Sequence, residues 1–116
     1  SKEKTWLCHN DCSPCNTIIN KNKLSLIDVE WIRVSNIYTD IANFIREARL
    51  HNTKYEDYIL KHYYITLNKA KLTKMLYILS CYAYMWAHSH PNFKILNKYQ
   101  QVVKNDIVKL YQELNK

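Results

Sequence analysis

Between Met75 and Ala87 the chain runs thirteen residues without a charge, and Ser80 is their one small polar member. A helix apolar on every side has to be enclosed by lipid or by other helices. At about 1.5 Å per residue the run reaches roughly 20 Å, well short of the roughly 30 Å hydrocarbon core of a bilayer. Lys69, Lys71 and Lys74 close it at one end, and His88, His90 and Pro91 at the other. The pattern therefore predicts a buried central helix over about 69–89, inside a bundle, and no transmembrane segment.

The neighbours of that helix follow from the spacing of apolar residues. Ile27, Trp31, Val34, Tyr38, Ile41, Ile45 and Ala48 recur alternately four and three apart, the repeat of a helix packed along its length. Ser25 with Asp28 reads as a capping box opening it, and His51 and Asn52 as its end. Thr53 with Glu56 reads as a second box, opening a short aromatic helix with Tyr55, Tyr58, Ile59, His62 and Tyr63 on one stripe. Asn92 is placed to cap a last helix with Leu96, Tyr99, Val103, Ile107, Leu110 and Leu114 inward. No strand-length stretch alternates with period two, so the predicted fold is all-α: a four-helix bundle-like domain at 25–116, preceded by an irregular, cysteine-bearing segment at 1–24.

Composition narrows the function. The chain has 116 residues and no glycine, whereas phosphate-cradling loops, dinucleotide fingerprints and nucleophile elbows use glycine where backbone must approach a ligand or take positive φ. Those classes are disfavoured together. The formal charge is +7, unevenly placed: residues 1–57 balance eight Lys and Arg with eight Asp and Glu, while 58–116 hold nine against two. A basic surface of that kind suits nucleic acid or an acidic protein partner. The absence of an Asn-x-Ser/Thr sequon leans slightly towards an intracellular protein.

The densest candidate chemistry is Leu-Cys-His-Asn-Asp-Cys-Ser-Pro-Cys-Asn, in which Cys8, Cys12 and Cys15 are spaced C-x3-C-x2-C. Thiolates at that spacing can bend around one tetrahedral zinc, with His88, His90 or His51 delivered by the fold as fourth ligand. His88 is the leading choice. Disulfides are the competing reading, since four cysteines allow three complete pairings, and a bond from the cluster to Cys81 would staple the leader onto the bundle. Redox chemistry through Cys12-Ser-Pro-Cys15 is a further one. The spacing is also that of radical S-adenosylmethionine enzymes, whose glycine-rich cofactor contacts are missing here.

Arg46-Glu-Ala-Arg-Leu-His51 forms an R-x4-H pattern that resembles the short motif of HEPN-type helical ribonucleases. The resemblance covers six residues and implies Arg46 and His51 lining a cleft, with His51 moving protons during RNA cleavage. Lys61, Tyr64, Lys69, Lys71, Lys74, Lys94 and Lys98 are the residues placed to meet an anionic partner, Tyr64 as an exposed stacking platform. The leading expectation is a non-enzymatic basic module, its leader held by zinc, binding nucleic acid or an acidic protein. A secreted or surface, disulfide-stapled helical protein that binds a host or receptor protein is the alternative, and a HEPN-like ribonuclease the third.

Overall fold

The computed structural model describes residues 4–90 and 95–116, with side chains from 97 onward in the second stretch. Pro91, Asn92 and Lys94 lie outside the described residues. The fold is mixed α/β, which corrects the all-α expectation. In chain order the elements are β1 (Thr5–Cys8), β2 (Thr17–Asn20), β3 (Lys23–Leu26), β4 (Arg33–Asn36), α1 (Thr39–Glu47), α2 (Lys54–His62), α3 (Lys69–His88) and α4 (Ile95–Leu114), with a single 3-10 turn at Pro14–Asn16. The chain divides into two compact units, Ser1–Asn68 and Lys69–Lys116.

The first unit holds the four strands found among the described residues. β1 pairs antiparallel with β4 in the register Trp6 to Ser35 and Leu7 to Val34. β2 and β3 form a hairpin, Ile18 opposite Ser25 and Asn20 opposite Lys23. Its two-residue loop, Lys21 and Asn22, takes φ of 46° and 66°, the paired positive φ that matches a turn to the twist of the flanking strands. Asparagine tolerates that region better than other non-glycine residues. Asn10, Asp28 and Asn52 do the same at φ of 66°, 59° and 58°, so among the described residues Asn and Asp fill four of the six positive-φ positions, with Lys21 and Arg49 at the others.

These strands overturn the long first helix expected from Ser25 to His51. The four-three spacing of Ile27, Trp31 and Val34 coincides with a stretch rich in β-branched residues, which lose χ1 freedom in a helix and sit well on a pleat. Asp28 in the left-handed region breaks any helix through it. The helical part of the repeat begins only at Thr39; its Ile45 is fully buried, and so is Ala42, which the repeat does not include. The leader is likewise not irregular, because it supplies β1, the 3-10 turn and β2. Around Ile37, Tyr38, Ala42, Ile45 and Leu67 this unit closes its core, and the Tyr38 hydroxyl accepts the Asn68 N–H at 2.9 Å.

The second unit is a pair of long helices. Leu72, Leu76 and Ala87 of α3 and Val103 and Leu110 of α4 are buried, and the rings of Tyr77 and Tyr111 lie 6.3 Å apart. α3 is not the enclosed rod its uncharged run predicts. Ile78, Tyr82, Met85 and Trp86, at spacings of four, three and one along one side, are all exposed. No described helix is long and apolar enough to cross a membrane.

Candidate functional site

A dense set of hydrogen bonds holds the loop His9 to Asn16, between β1 and β2. Asp40, in the first turn of α1, accepts two successive backbone donors, His9 N–H at Oδ2 and Asn10 N–H at Oδ1, both at 2.8 Å. A carboxylate gripping adjacent amides fixes the direction in which the chain leaves β1. Asn10 then turns through positive φ while its side-chain amide donates to Trp31 O at 2.9 Å. Asn43, one helical turn beyond Asp40, donates from Nδ2 to Cys12 O at 2.9 Å.

Inside the loop the side chains orient one another. His9 is buried; its Nε2 lies 2.7 Å from Ile27 O, and its Nδ1 lies 3.1 Å from Asp11 N. Ile27 O can only accept and Asp11 N–H can only donate, so the ring is the neutral tautomer with its proton on Nε2. Asn16 turns its amide nitrogen on Asp11, donating to the backbone O at 2.8 Å and to Oδ2 at 3.0 Å. Ile27 N–H donates to Asn16 O at 2.9 Å. The residue before Asp28 is thus tied to both His9 and Asn16. Asp28 itself is exposed and makes no hydrogen bond or ion pair among the described residues.

The same surroundings correct the zinc expectation. Among the described residues no three or more His, Cys, Asp or Glu are arranged to hold a metal ion. All four cysteines are free. Cys8 is 1% exposed, and its single thiol proton faces the carbonyls of Trp6, Ser35 and Asn36 at 3.5–3.8 Å. Burial first, then the negative charge of Asp40, push the Cys8 thiol up from the ordinary 9.0. Burial, Asp40 and Asp11 together push Cys12 up to about 11. His88 belongs to the end of α3, in the other unit.

The raised Cys12 carries a pH consequence. Between pH 9 and 11 the unfolded chain loses a thiol proton that the folded chain keeps, so folding is linked to proton retention. The contribution to stability is full below about pH 9 and declines as pH climbs towards 11. Urea midpoints taken across that range should fall, and Cys12→Ser should flatten part of the decline.

The remaining predicted residues are dispersed. Lys61 is exposed on α2, Lys71 and Lys74 on α3, and Lys98 on α4. Lys69 stands at the start of α3, where burial lowers its pKa against the opposing pull of Glu113. Tyr64 is 73% exposed, yet its ring stacks on Trp6 at 5.5 Å. Arg46 donates to Asn43 Oδ1 at 3.1 Å and pairs with Glu47 at 2.7 Å, and His51 Nδ1 lies 2.7 Å from Glu56 Oε2. The capping boxes do not form as read: Ser25 is in β3, and Thr53 turns its hydroxyl to Leu50 O while Glu56 takes the Asn52 N–H at 3.4 Å.

The residues that cysteine spacing passes over are His9, Asp11, Asn16, Asp28 and Asp40. The signal of the first three is present in the same ten residues: a histidine, an aspartate two positions on, and an asparagine five beyond that. Comparison with known proteins adds one relative and no function. No family model and no solved structure matches the chain. A protein of Mycoplasma pneumoniae described as "Uncharacterized protein MG356 homolog" is 31% identical over 99 residues, which are 84% of this chain and 34% of that protein. The chain therefore spans about a third of the length of the curated relative it matches.

Proposed function

We propose that the first unit carries the hydroxyl-activating half of a phosphoryl-transfer site, using a divalent cation and a nucleoside triphosphate. The observation that carries this is the pair of bonds from Asn16 Nδ2 to Asp11, inside a His-x-Asp-x4-Asn loop. In kinases a loop of that form supplies an aspartate that accepts the proton of the attacking hydroxyl and an asparagine that takes a Mg²⁺, and a second aspartate soon after takes Mg²⁺ as well. Asp11, Asn16 and Asp28 occupy those places. The match departs at Asn10, where such loops carry arginine, and at Asp28-Val29-Glu30, where they carry Asp-Phe-Gly.

The donor set fits a hard cation. Mg²⁺ is held by one or two carboxylates together with substrate phosphates and water, not by an all-protein cage. Asn16 directs its amide N–H groups at Asp11, which leaves its oxygen for the ion, and the exposed Asp28 directly follows Ile27, whose N–H is bonded to Asn16 O. When bound, the cation would neutralise charge on the transferring phosphate. Asp11 takes the proton of the substrate hydroxyl, held in line by Asn16 and by the Asp40 grip on the preceding amides. The glycine-bearing cover such enzymes place over the phosphates is not supplied by this chain, so the reading assigns it half of a site.

Titration with Mn²⁺, followed by electron paramagnetic resonance in the presence of ATP, tests the reading. Asp28→Asn and Asn16→Ala should each weaken Mn²⁺ binding by about tenfold or more. Affinity equal to that of the unaltered chain in both variants would overturn it. Contact with nucleic acid or an acidic protein is the second reading, supported by the exposed lysines Lys61, Lys71, Lys74 and Lys98, and with it goes no zinc centre.

A further inference from the structure

We propose that Cys12 and Cys15 form a reversible disulfide that dislodges Asn16 from Asp11 and so switches the loop off, an inference that rests on the phosphoryl-transfer reading for its functional consequence. Two of the four residues between Asp11 and Asn16 are cysteines, and both are free thiols. Cys15 is exposed at the middle of the 3-10 turn, open to a small oxidant, while Cys12 is half-buried three residues before it. Cys8 is sealed under backbone carbonyls. Cys12 is therefore the other thiol of this loop, three positions away in the chain, left to react with an oxidised Cys15.

The oxidant is a peroxide. The Cys15 sulfur attacks one peroxide oxygen, the O–O bond breaks, and Cys15 S–OH and one water result; the Cys12 sulfur then displaces the hydroxyl as a second water, forming the S–S bond. Overall, two thiols and one hydrogen peroxide give one disulfide and two waters. A dithiol reverses it by exchange, becoming a disulfide itself.

The link acts on the site because the same short segment carries both. A disulfide confines its two Cα atoms to within roughly 7 Å with a fixed Cβ–S–S–Cβ dihedral, and Ser13 and Pro14 are the residues between them that accommodate it. Ser13 is held extended, at φ −149° and ψ 163°. Its carbonyl accepts both Asn16 N–H at 3.0 Å and the Thr17 hydroxyl at 2.7 Å. Rotating Ser13 moves that carbonyl and withdraws the turn that aims Asn16 at Asp11. Cys12 O is anchored by Asn43, so the movement falls on the Asn16 side.

The test uses the full chain treated with hydrogen peroxide. Expected are a mass lower by two hydrogens, a Cys12–Cys15 link on peptide mapping, hydrogen exchange of the Asn16 amide at least tenfold faster, and full reversal by dithiothreitol; Cys15→Ser should abolish all of these. In the same samples Mn²⁺ affinity should drop at least tenfold on oxidation. A link to Cys8 in place of Cys15, sulfinic acid with no link, or a mapped Cys12–Cys15 link that leaves Asn16 exchange unchanged would each overturn the switch. Weak Mn²⁺ binding by the reduced chain, unaffected by Asp28→Asn, is a separate result and removes the phosphoryl-transfer reading, leaving the disulfide to be decided on mass and exchange.

Discussion

Glu56→Ala should lower the stability of the first unit by about 3 kcal/mol, the upper end of the usual loss when a buried hydrogen-bonded acceptor is removed and its donors are left unsatisfied. Glu56 is fully buried, with Oε2 at 2.7 Å from His51 Nδ1 and Oε1 accepting the Asn52 N–H. It lies in the first turn of α2, where a negative charge also meets the positive end of the helix. The carboxylate thereby fixes the connection from α1 to α2, including Asn52 at positive φ. Glu56→Gln keeps an acceptor and loses the charge, so it should cost less, about 1–2 kcal/mol. With a urea dependence of roughly 1–3 kcal/mol per molar, Glu56→Ala should move the unfolding midpoint clearly. An unchanged midpoint would mean that the turn is held without this carboxylate.

Asp40→Ala should cost about 2–4 kcal/mol, because each of its two bonds joins a charged acceptor to a backbone amide. Asp40→Asn is expected to be nearly as damaging. Its amide can present one oxygen to one N–H and must then turn an N–H towards the other, donor against donor. A second readout separates this role from general packing. Asp40 raises both Cys8 and Cys12 after burial does, so Asp40→Asn should bring both thiols down and speed alkylation of Cys12 near pH 9. Slower folding or lower stability with unchanged thiol reactivity would place Asp40 away from the loop.

The two predictions meet at α1, the element the sequence located least well. Its inward position Ile45 was legible from the four-three repeat and is buried, whereas the repeat placed Ile41 inward and passed over Ala42, which is the buried neighbour. The upstream part of that repeat misled because Ile27, Trp31 and Val34 satisfy a helical stripe and a β-rich stretch equally, and neither spacing nor propensity alone separates the two. The hairpin signal was short: Asn20-Lys21-Asn22 with Ile18 and Ile19 before it and Leu24 and Leu26 after. Without glycine, a turn at positive φ had only asparagine to announce it.

The site divides in the same way. His9, Asp11 and Asn16 stand within eight residues, and their spacing is readable from the chain alone; three cysteines in the same segment offered a competing pattern. Local sequence determined the uncharged span of α3, the acidic first turn of α2, the inward Ile45 of α1 and the order of groups in the loop, since those depend on residues within a few positions of one another. Tertiary structure decided that Asp40, thirty-one residues downstream of His9, grips its amide, that Ile27 bridges His9 and Asn16, and that the thiols stay protonated beside a carboxylate. Hydrogen bonds and charges act through space, and the one-dimensional pattern holds no record of which distant groups the turns bring within 3 Å.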